Sequence, residues 1–300
     1  MNRFLYPDRE ENAITTRPSH SAYMLIDAED RYILNKQITN NIAQQTNPNN
    51  LLINTQKTLG LGSIKRLALT ELYFPWTTPN VIAGYNDSLY IKDNSNNIYK
   101  YTIPEGFYTG LQLANQVQSS LNAGTYGKTW TVIYNIDNNT NPGQVILNKN
   151  CFTLTAGAGT LFKVLSNTSD TNTPYSLANI MGFTLTQYNT GNSITSGIAS
   201  LKITRYIDIC SRTLTKFMNI PDSQTQSNYD SIIYRLYIED GTQPQIFSKQ
   251  IIKPKYILWN ENEMITSIDL QLRDDKGELL YIPSANWDNN YLLTMQVSES

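Results

Sequence analysis

The chain has 300 residues, a formal net charge of −2 and a pI near 5.5. Only 16% of the residues are charged, below the roughly one quarter usual in soluble domains, and so weak a field excludes a protein that coats naked nucleic acid. No stretch approaches the roughly 18 consecutive apolar residues of a membrane-spanning helix.

The polar remainder is Asn, Thr, Ser and Gln, a neutral surface suited to packing against other protein copies. The 20 Tyr, 8 Phe and 4 Trp favour strands and interfaces. The length suffices for one large β domain or two smaller ones without disulfide or metal staples.

Residues 1–20 mix charge with Pro7 and Pro18 and read as an extended arm, in which Phe4 and Tyr6 can anchor on a neighbour. The start has no apolar core of a signal peptide, and Asn2 excludes myristoylation. A reducing compartment of synthesis is expected. Cys151 and Cys210, far apart, then read as buried free thiols, and the Asn138 and Asn167 sequons go unused.

From Tyr23 the pattern turns to strand. Tyr23 to Asp27 is one apolar run, and Ile64 to Phe74 is a second. In the second, Leu67, Leu69 and Tyr73 share one face and Ala68, Leu72 and Phe74 the other, which predicts a strand covered on both sides and ended by Pro75 and Pro79. The section 86–190 reads as a compact α+β unit. It opens with a hairpin of 89–91 and 98–103 around Asp93 to Asn97. A helix follows, with Thr109 as N-cap, Gln112 completing a capping box, an apolar stripe Ala114, Val117, Leu121 and a stop at Gly124. Trp130, Val132, Tyr134 and Ile136 alternate as a half-buried strand, a turn at 138–143 leads to a return strand 145–147, and a short helix spans Ser176 to Met181 before Gly182.

The last third is the clearest β region. Leu201, Ile203, Ile207 and Ile209 are expected to share a face opposite Lys202, Thr204, Tyr206 and Asp208. Ile232, Tyr234, Leu236 and Ile238 form another face, and Asp240-Gly241 signals a hairpin. Ile268, Leu270 and Leu272 alternate with Asp269, Gln271 and Arg273 before a turn at 274–277, and Tyr291, Leu293, Met295 and Val297 make a last strand. Pro254 demotes 251–259 to an edge strand or a bulge. Many strands, few helices and polar turns indicate a mainly β sandwich or jelly roll.

Candidate chemistry is sparse. The single histidine, His20, lies in the arm, where it cannot be held against a nucleophile. One His and two distant Cys make no zinc set. Asp93-Ser95-Asn97 and Asp137-Asn139-Asn141 begin like calcium loops but lack the required Gly and Glu, and read as Asx turns. Gly60-Leu61-Gly62 and Gly157-Ala158-Gly159 lack the GK[ST] ending of a phosphate loop. Glu29/Asp30 and Asp274/Asp275 are neighbours in turns, not a pair across a cleft. No catalytic residue, cofactor or metal ligand is assigned, and a non-enzymatic role is expected.

Three segments carry a resemblance: Leu25-Ile26-Asp27-Ala28-Glu29-Asp30-Arg31, the strand from Ile64 to Pro75, and Tyr101-Thr102-Ile103-Pro104-Glu105-Gly106-Phe107-Tyr108-Thr109, followed by Leu177-Ala178-Asn179-Ile180-Met181-Gly182-Phe183. Their order over 23–183, with 268–280, resembles penton (vertex) and minor capsid proteins of large eukaryotic DNA viruses, virophages and Maverick/Polinton elements. The resemblance implies a single jelly-roll sandwich (21–85 with 191–300), an inserted α+β domain (86–190) projecting outward, and homopentamers closing the five-fold vertices of an icosahedral virion. It implies no cofactor, no specific nucleic acid and no catalytic residue. The implied partners are other copies of the chain, the surrounding capsomers of major capsid protein and a host-surface ligand. Asp27, Asp30, Arg31, Pro104, Gly106, Tyr108, Gly182 and Phe183 are its motif residues, with structural roles. Asp27 is expected to pair with Arg31, and Gly106 to permit the turn before the helix. Arg3, Phe4 and Tyr6 are candidate capsid contacts on the arm. The competing reading is a trimeric receptor- or glycan-binding spike on the same scaffold.

Overall fold

The computed structural model describes residues 21–29, 48–59, 64–124, 126–135, 150–165, 176–183, 187–188, 192–216, 232–260, 265–283 and 290–299. In chain order the strands are β1 (Ser21–Asp27), β2 (Asn50–Leu59) and β3 (Ile64–Trp76), then β4 (Ser88–Asp93), β5 (Ile98–Thr102), β6 (Trp130–Asn135), β7 (Cys151–Ala156), β8 (Phe162–Leu165), β9 (Gln187–Tyr188) and β10 (Ser193–Thr195), and finally β11 (Tyr206–Cys210), β12 (Ile232–Tyr237), β13 (Gln245–Gln250), β14 (Tyr256–Leu258), β15 (Ile265–Arg273) and β16 (Leu292–Glu299). The helices are α1 (Gly110–Ala123) and α2 (Leu177–Ile180). The chain divides into two compact units. The first holds Met1–Pro75, Ile207–Leu236 and Ile246–Ser300, and the second holds Trp76–Tyr206 and Tyr237–Gln245, wider at both ends than the section 86–190.

The first unit has two sheets, in the orders β1-β16-β3-β13 and β12-β11-β15-β2, with β14 also on β3. Taking β13 and β14 as one interrupted strand, eight strands remain. The first pairs with the last, the second with the seventh, the third with the sixth and the fourth with the fifth. This is a long hairpin of strands rolled into two layers, which is the jelly-roll arrangement. The third-to-fourth connection carries almost all of the second unit. Each sheet has one buried apolar face: Met24, Ile26, Leu67, Leu69, Leu72, Phe74, Leu293 and Met295 on one, and Leu51, Ile207, Ile209, Leu236, Ile268, Leu270 and Leu272 on the other. Burying each such side chain stabilises the fold by about 1.5–3 kcal/mol.

Three expectations from the sequence are corrected. First, β3 is not covered on both sides along its whole length: Leu67, Ala68 and Leu69 are all buried, but Glu71 and Tyr73 beyond them are exposed. Thr294 pairs with Glu71 but Met295 pairs with Leu69, so Thr70 is an extra residue, a β-bulge. The bulge exchanges odd for even: Leu67 and Leu69 point inward before it, Leu72, Phe74 and Trp76 after it, and Tyr73 is exposed. Pro75 lies within the strand and does not end it. Second, Leu201 and Ile203 precede β11, and Thr204 and Asp208 are buried, so no apolar/polar alternation runs through 201–209. Asp208 is accommodated because Arg235 on β12 donates to it twice, from Nε at 2.7 Å and a terminal nitrogen at 2.9 Å. Third, Asp240-Gly241 joins no hairpin: β12 and β13 belong to different sheets, and Asp240 instead accepts from the Thr242 amide and hydroxyl in an Asx turn. Pro254 breaks the strand between β13 and β14 on the edge of the sheet, as its missing amide requires.

The second unit has sheets β5-β4-β8-β9 and β10-β7-β6. The helix forms as the sequence predicts. Thr109 Oγ1 accepts from the Gln112 amide, the Gln112 side chain accepts from the Thr109 amide at 2.9 Å, and Leu113, Ala114, Val117 and Leu121 are its buried stripe. Its polar side serves the sheet. Gln118 accepts from the Val132 amide at 2.9 Å, and Asn122 accepts from the Trp130 amide at 2.7 Å and donates to its carbonyl at 3.1 Å. Helix side chains thus occupy backbone groups of β6 that an open edge would leave bare. The return strand expected at 145–147 lies outside the described residues.

Candidate functional site

The motif residues fall into groups. Asp27 ends β1 and its carboxylate accepts from the Glu29 amide at 2.8 Å, an Asx turn. Asp30, Arg31, Arg3, Phe4 and Tyr6 lie outside the described residues, and so does the expected Asp27–Arg31 pair.

The other motif residues surround one core. Gly106 exchanges two backbone hydrogen bonds with Val81, at 3.1 and 3.2 Å. The Tyr108 hydroxyl donates to the Pro104 carbonyl at 3.0 Å and closes the loop on itself. Asn80, buried, accepts from the Tyr108 amide at 2.9 Å and donates to the Tyr108 carbonyl at 2.8 Å and the Leu201 carbonyl at 3.2 Å. Asn86 in turn donates to the Asn80 carbonyl and accepts from the Ile82 amide. Gly182 has φ +91° and its carbonyl accepts from the Gly197 amide at 3.0 Å. Phe183 is fully buried, in the same apolar cluster as Ile103, Leu177 and Ala178. Pro104, Gly106, Tyr108, Gly182 and Phe183 therefore shape one packed structure. Asn80 and Asn86, its organising polar residues, are missed by sequence reasoning: in an Asn-rich chain, a buried Asn after Pro79 looks like any turn Asn.

The candidate acids are occupied by the fold. Asp93 accepts from the Asn97 amide and side chain and from the Tyr99 hydroxyl. The Asn97 side-chain bond leads in holding it below the usual carboxylate range, and the loop is an Asx turn. Asp274 accepts from the Lys276 and Glu278 amides, yet burial pushes its pKa up. Gly157 to Gly159 turns between β7 and β8, two strands, not strand to helix. Cys151 and Cys210 are buried and form no disulfide. Among the described residues no group of three His, Cys, Asp or Glu side chains could hold a metal ion, and no helix is long and apolar enough to cross a membrane.

The open feature of the first unit is the outer face of its β1-β16-β3-β13 sheet. Tyr23, Leu25, Tyr256 and Leu258 are exposed there, and Ile252 is 90% exposed. A groove of about 710 Å³ crosses this face, and Tyr23, Tyr256, Thr70, Glu71, Thr294 and Gln296 are among its lining.

No protein-family model matches the chain, and no curated protein matches it. Among solved structures, the crystal structure of the mavirus penton protein is similar over 93% of this chain and 99% of that one, at 12% identity and a TM-score of 0.47. The cryo-EM structure of the Sputnik virophage is similar over 93% of this chain and 97% of that one, at 12% identity and a TM-score of 0.36. The fold assignment rests on the strand order described above.

Proposed function

We propose that this chain is a structural capsid protein whose homopentamers close the five-fold vertices of an icosahedral virion. The reading is carried by the order of the three sequence motifs, set on a jelly-roll body with an α+β unit inserted in its third-to-fourth connection. A ring of identical subunits joins two different patches, and a chain with 20 Tyr and neutral, polar loops has the composition such contacts use. Major capsid protein capsomers are the outer partners, and the virion is the location. Residues 1–20, with Arg3, Phe4 and Tyr6, tie the vertex to its neighbours on the inner side of the shell.

Light scattering with negative-stain imaging tests the assembly. The 34.1 kDa chain should give five-fold rings near 5 × 34.1, about 170 kDa. A stable trimer would favour the spike reading instead. For the terminal segment, unchanged vertex incorporation after deletion of residues 1–20 would sink its proposed role.

A further inference from the structure

We propose that the groove on the outer face of the β1-β16-β3-β13 sheet binds a neutral saccharide. The register sets its frame: Tyr23 pairs with Gln296, Gln296 with Ala68 and Ala68 with Tyr256. The two tyrosines therefore stand in one row, three strand spacings or about 14 Å apart. Both line the groove, and both are more than half exposed. The bulge at Thr70 and the break after β13 give the sheet its concavity. The bulge kinks β3, and the Ile251 amide holds the next segment down on the Thr70 carbonyl at 2.8 Å, next to Ile252 and Pro254 of the lining.

The floor is polar, and part of it is tied together. The Thr70 hydroxyl donates to the Thr294 carbonyl at 3.1 Å, and the Thr294 hydroxyl donates to Glu71 at 3.3 Å. Gln250 and Gln296 add amides able to donate and accept. Arg66 lies over the Tyr256 ring, 5.8 Å from its centroid, and orients it.

This combination selects a ligand class. A sugar has C–H faces that lie on aromatic rings and a rim of hydroxyls that both donate and accept. Amides and a carboxylate match that rim, the carboxylate taking two adjacent hydroxyls. Nucleic acid needs cations, and among the described residues lining the groove the charged one is Glu71, an anion. A strand-forming peptide adds along one edge strand, whereas Tyr23, Thr294, Gln296, Thr70 and Glu71 line the groove across three adjacent strands. The volume lies within the range of small-ligand sites, and Glu71 disfavours acidic sugars. The inference is independent of the vertex reading and survives its failure.

The test is the full chain on an array of neutral and sialylated oligosaccharides, followed by calorimetry with the neutral oligosaccharide that binds. Dissociation constants of about 1 mM or tighter are expected. Tyr23→Ala or Tyr256→Ala should weaken binding about tenfold or more and Glu71→Gln several-fold, with the melting temperature unchanged because all three side chains are exposed. Tyr237→Ala, exposed in the second unit, should leave binding alone. The proposal is overturned if no neutral glycan binds at millimolar concentration, if sialylated glycans bind in preference, or if Tyr23→Ala binds like the parent.

Discussion

Asn80 grips Tyr108 by both of its main-chain groups, accepting from the amide at 2.9 Å and donating to the carbonyl at 2.8 Å. The same amide group reaches the Leu201 carbonyl, so one buried side chain ties three stretches of the second unit together. Asn80→Ala should cost about 2–4 kcal/mol, since it strands backbone groups away from water. Asn80→Asp should cost a similar amount, because a carboxylate cannot donate to the two carbonyls. Urea denaturation checks both, and a loss below about 1 kcal/mol for Asn80→Ala would show that water replaces the side chain.

Gly182 and Gly84 make a matched pair. Both have positive φ, but a Cβ on Gly182 would lie 2.5 Å from the Gly197 carbonyl oxygen, while one on Gly84 meets nothing within 4 Å. Gly84→Ala should cost about 1 kcal/mol of backbone strain, and Gly182→Ala clearly more, because rigid backbone must also move. Thermal unfolding of the two variants should separate them by several degrees. Equal shifts would refute the steric argument.

Asp269 on β15 and Asp274 just beyond it should respond to pH in opposite senses. Burial works against the charge of Asp269, but donors from Thr213, Ser211 and Arg212 more than offset it and hold its pKa below the usual value. Its contribution is therefore present above the unfolded pKa near 4 and lost as pH falls through the lower folded value. Asp274, raised by burial, binds its proton more tightly when folded, so its ionisation weakens the fold as pH rises through that region. Asp269→Asn should destabilise by about 2 kcal/mol at pH 7, and Asp274→Asn should be neutral or stabilising. Stability curves from pH 3 to 7 for both variants give the signs directly.

Tyr101 is pushed up to about 12 by burial, with Tyr99 and Tyr126 adding to the shift. The folded chain then holds this proton more tightly than the unfolded one, whose tyrosine titrates near 10, so stability falls as pH rises from about 10 to 12. Ultraviolet titration of Tyr101→Phe against the parent should show the loss of one late-titrating phenol. A parent curve complete by pH 11 would contradict the burial.

Local rules made some of this molecule readable from sequence, and distance in the chain hid the rest. The helix was legible because its cap and stripe, Thr109, Gln112, Val117 and Leu121, are written within a few turns. The strand at Ile64 was legible as a strand but misread in its faces, because nothing local marks Thr70 as the bulge that exchanges them. Asp240-Gly241 misled because an Asx turn and a hairpin turn use the same residues. The groove was invisible: Tyr23 and Tyr256 become neighbours in a row only through β16 and β3.

The nested pairing has a consequence for biosynthesis. Ser21 pairs with Ser298 and Asp27 with Leu292, so β1 waits for its partner until nearly the whole chain described here has been made. At about 5–20 residues per second, that interval is on the order of ten to fifty seconds. Most strand pairs of the second unit close within Trp76–Tyr206 and can form early on the ribosome. Meanwhile β1 and β3 remain unpaired and open to association with other nascent chains.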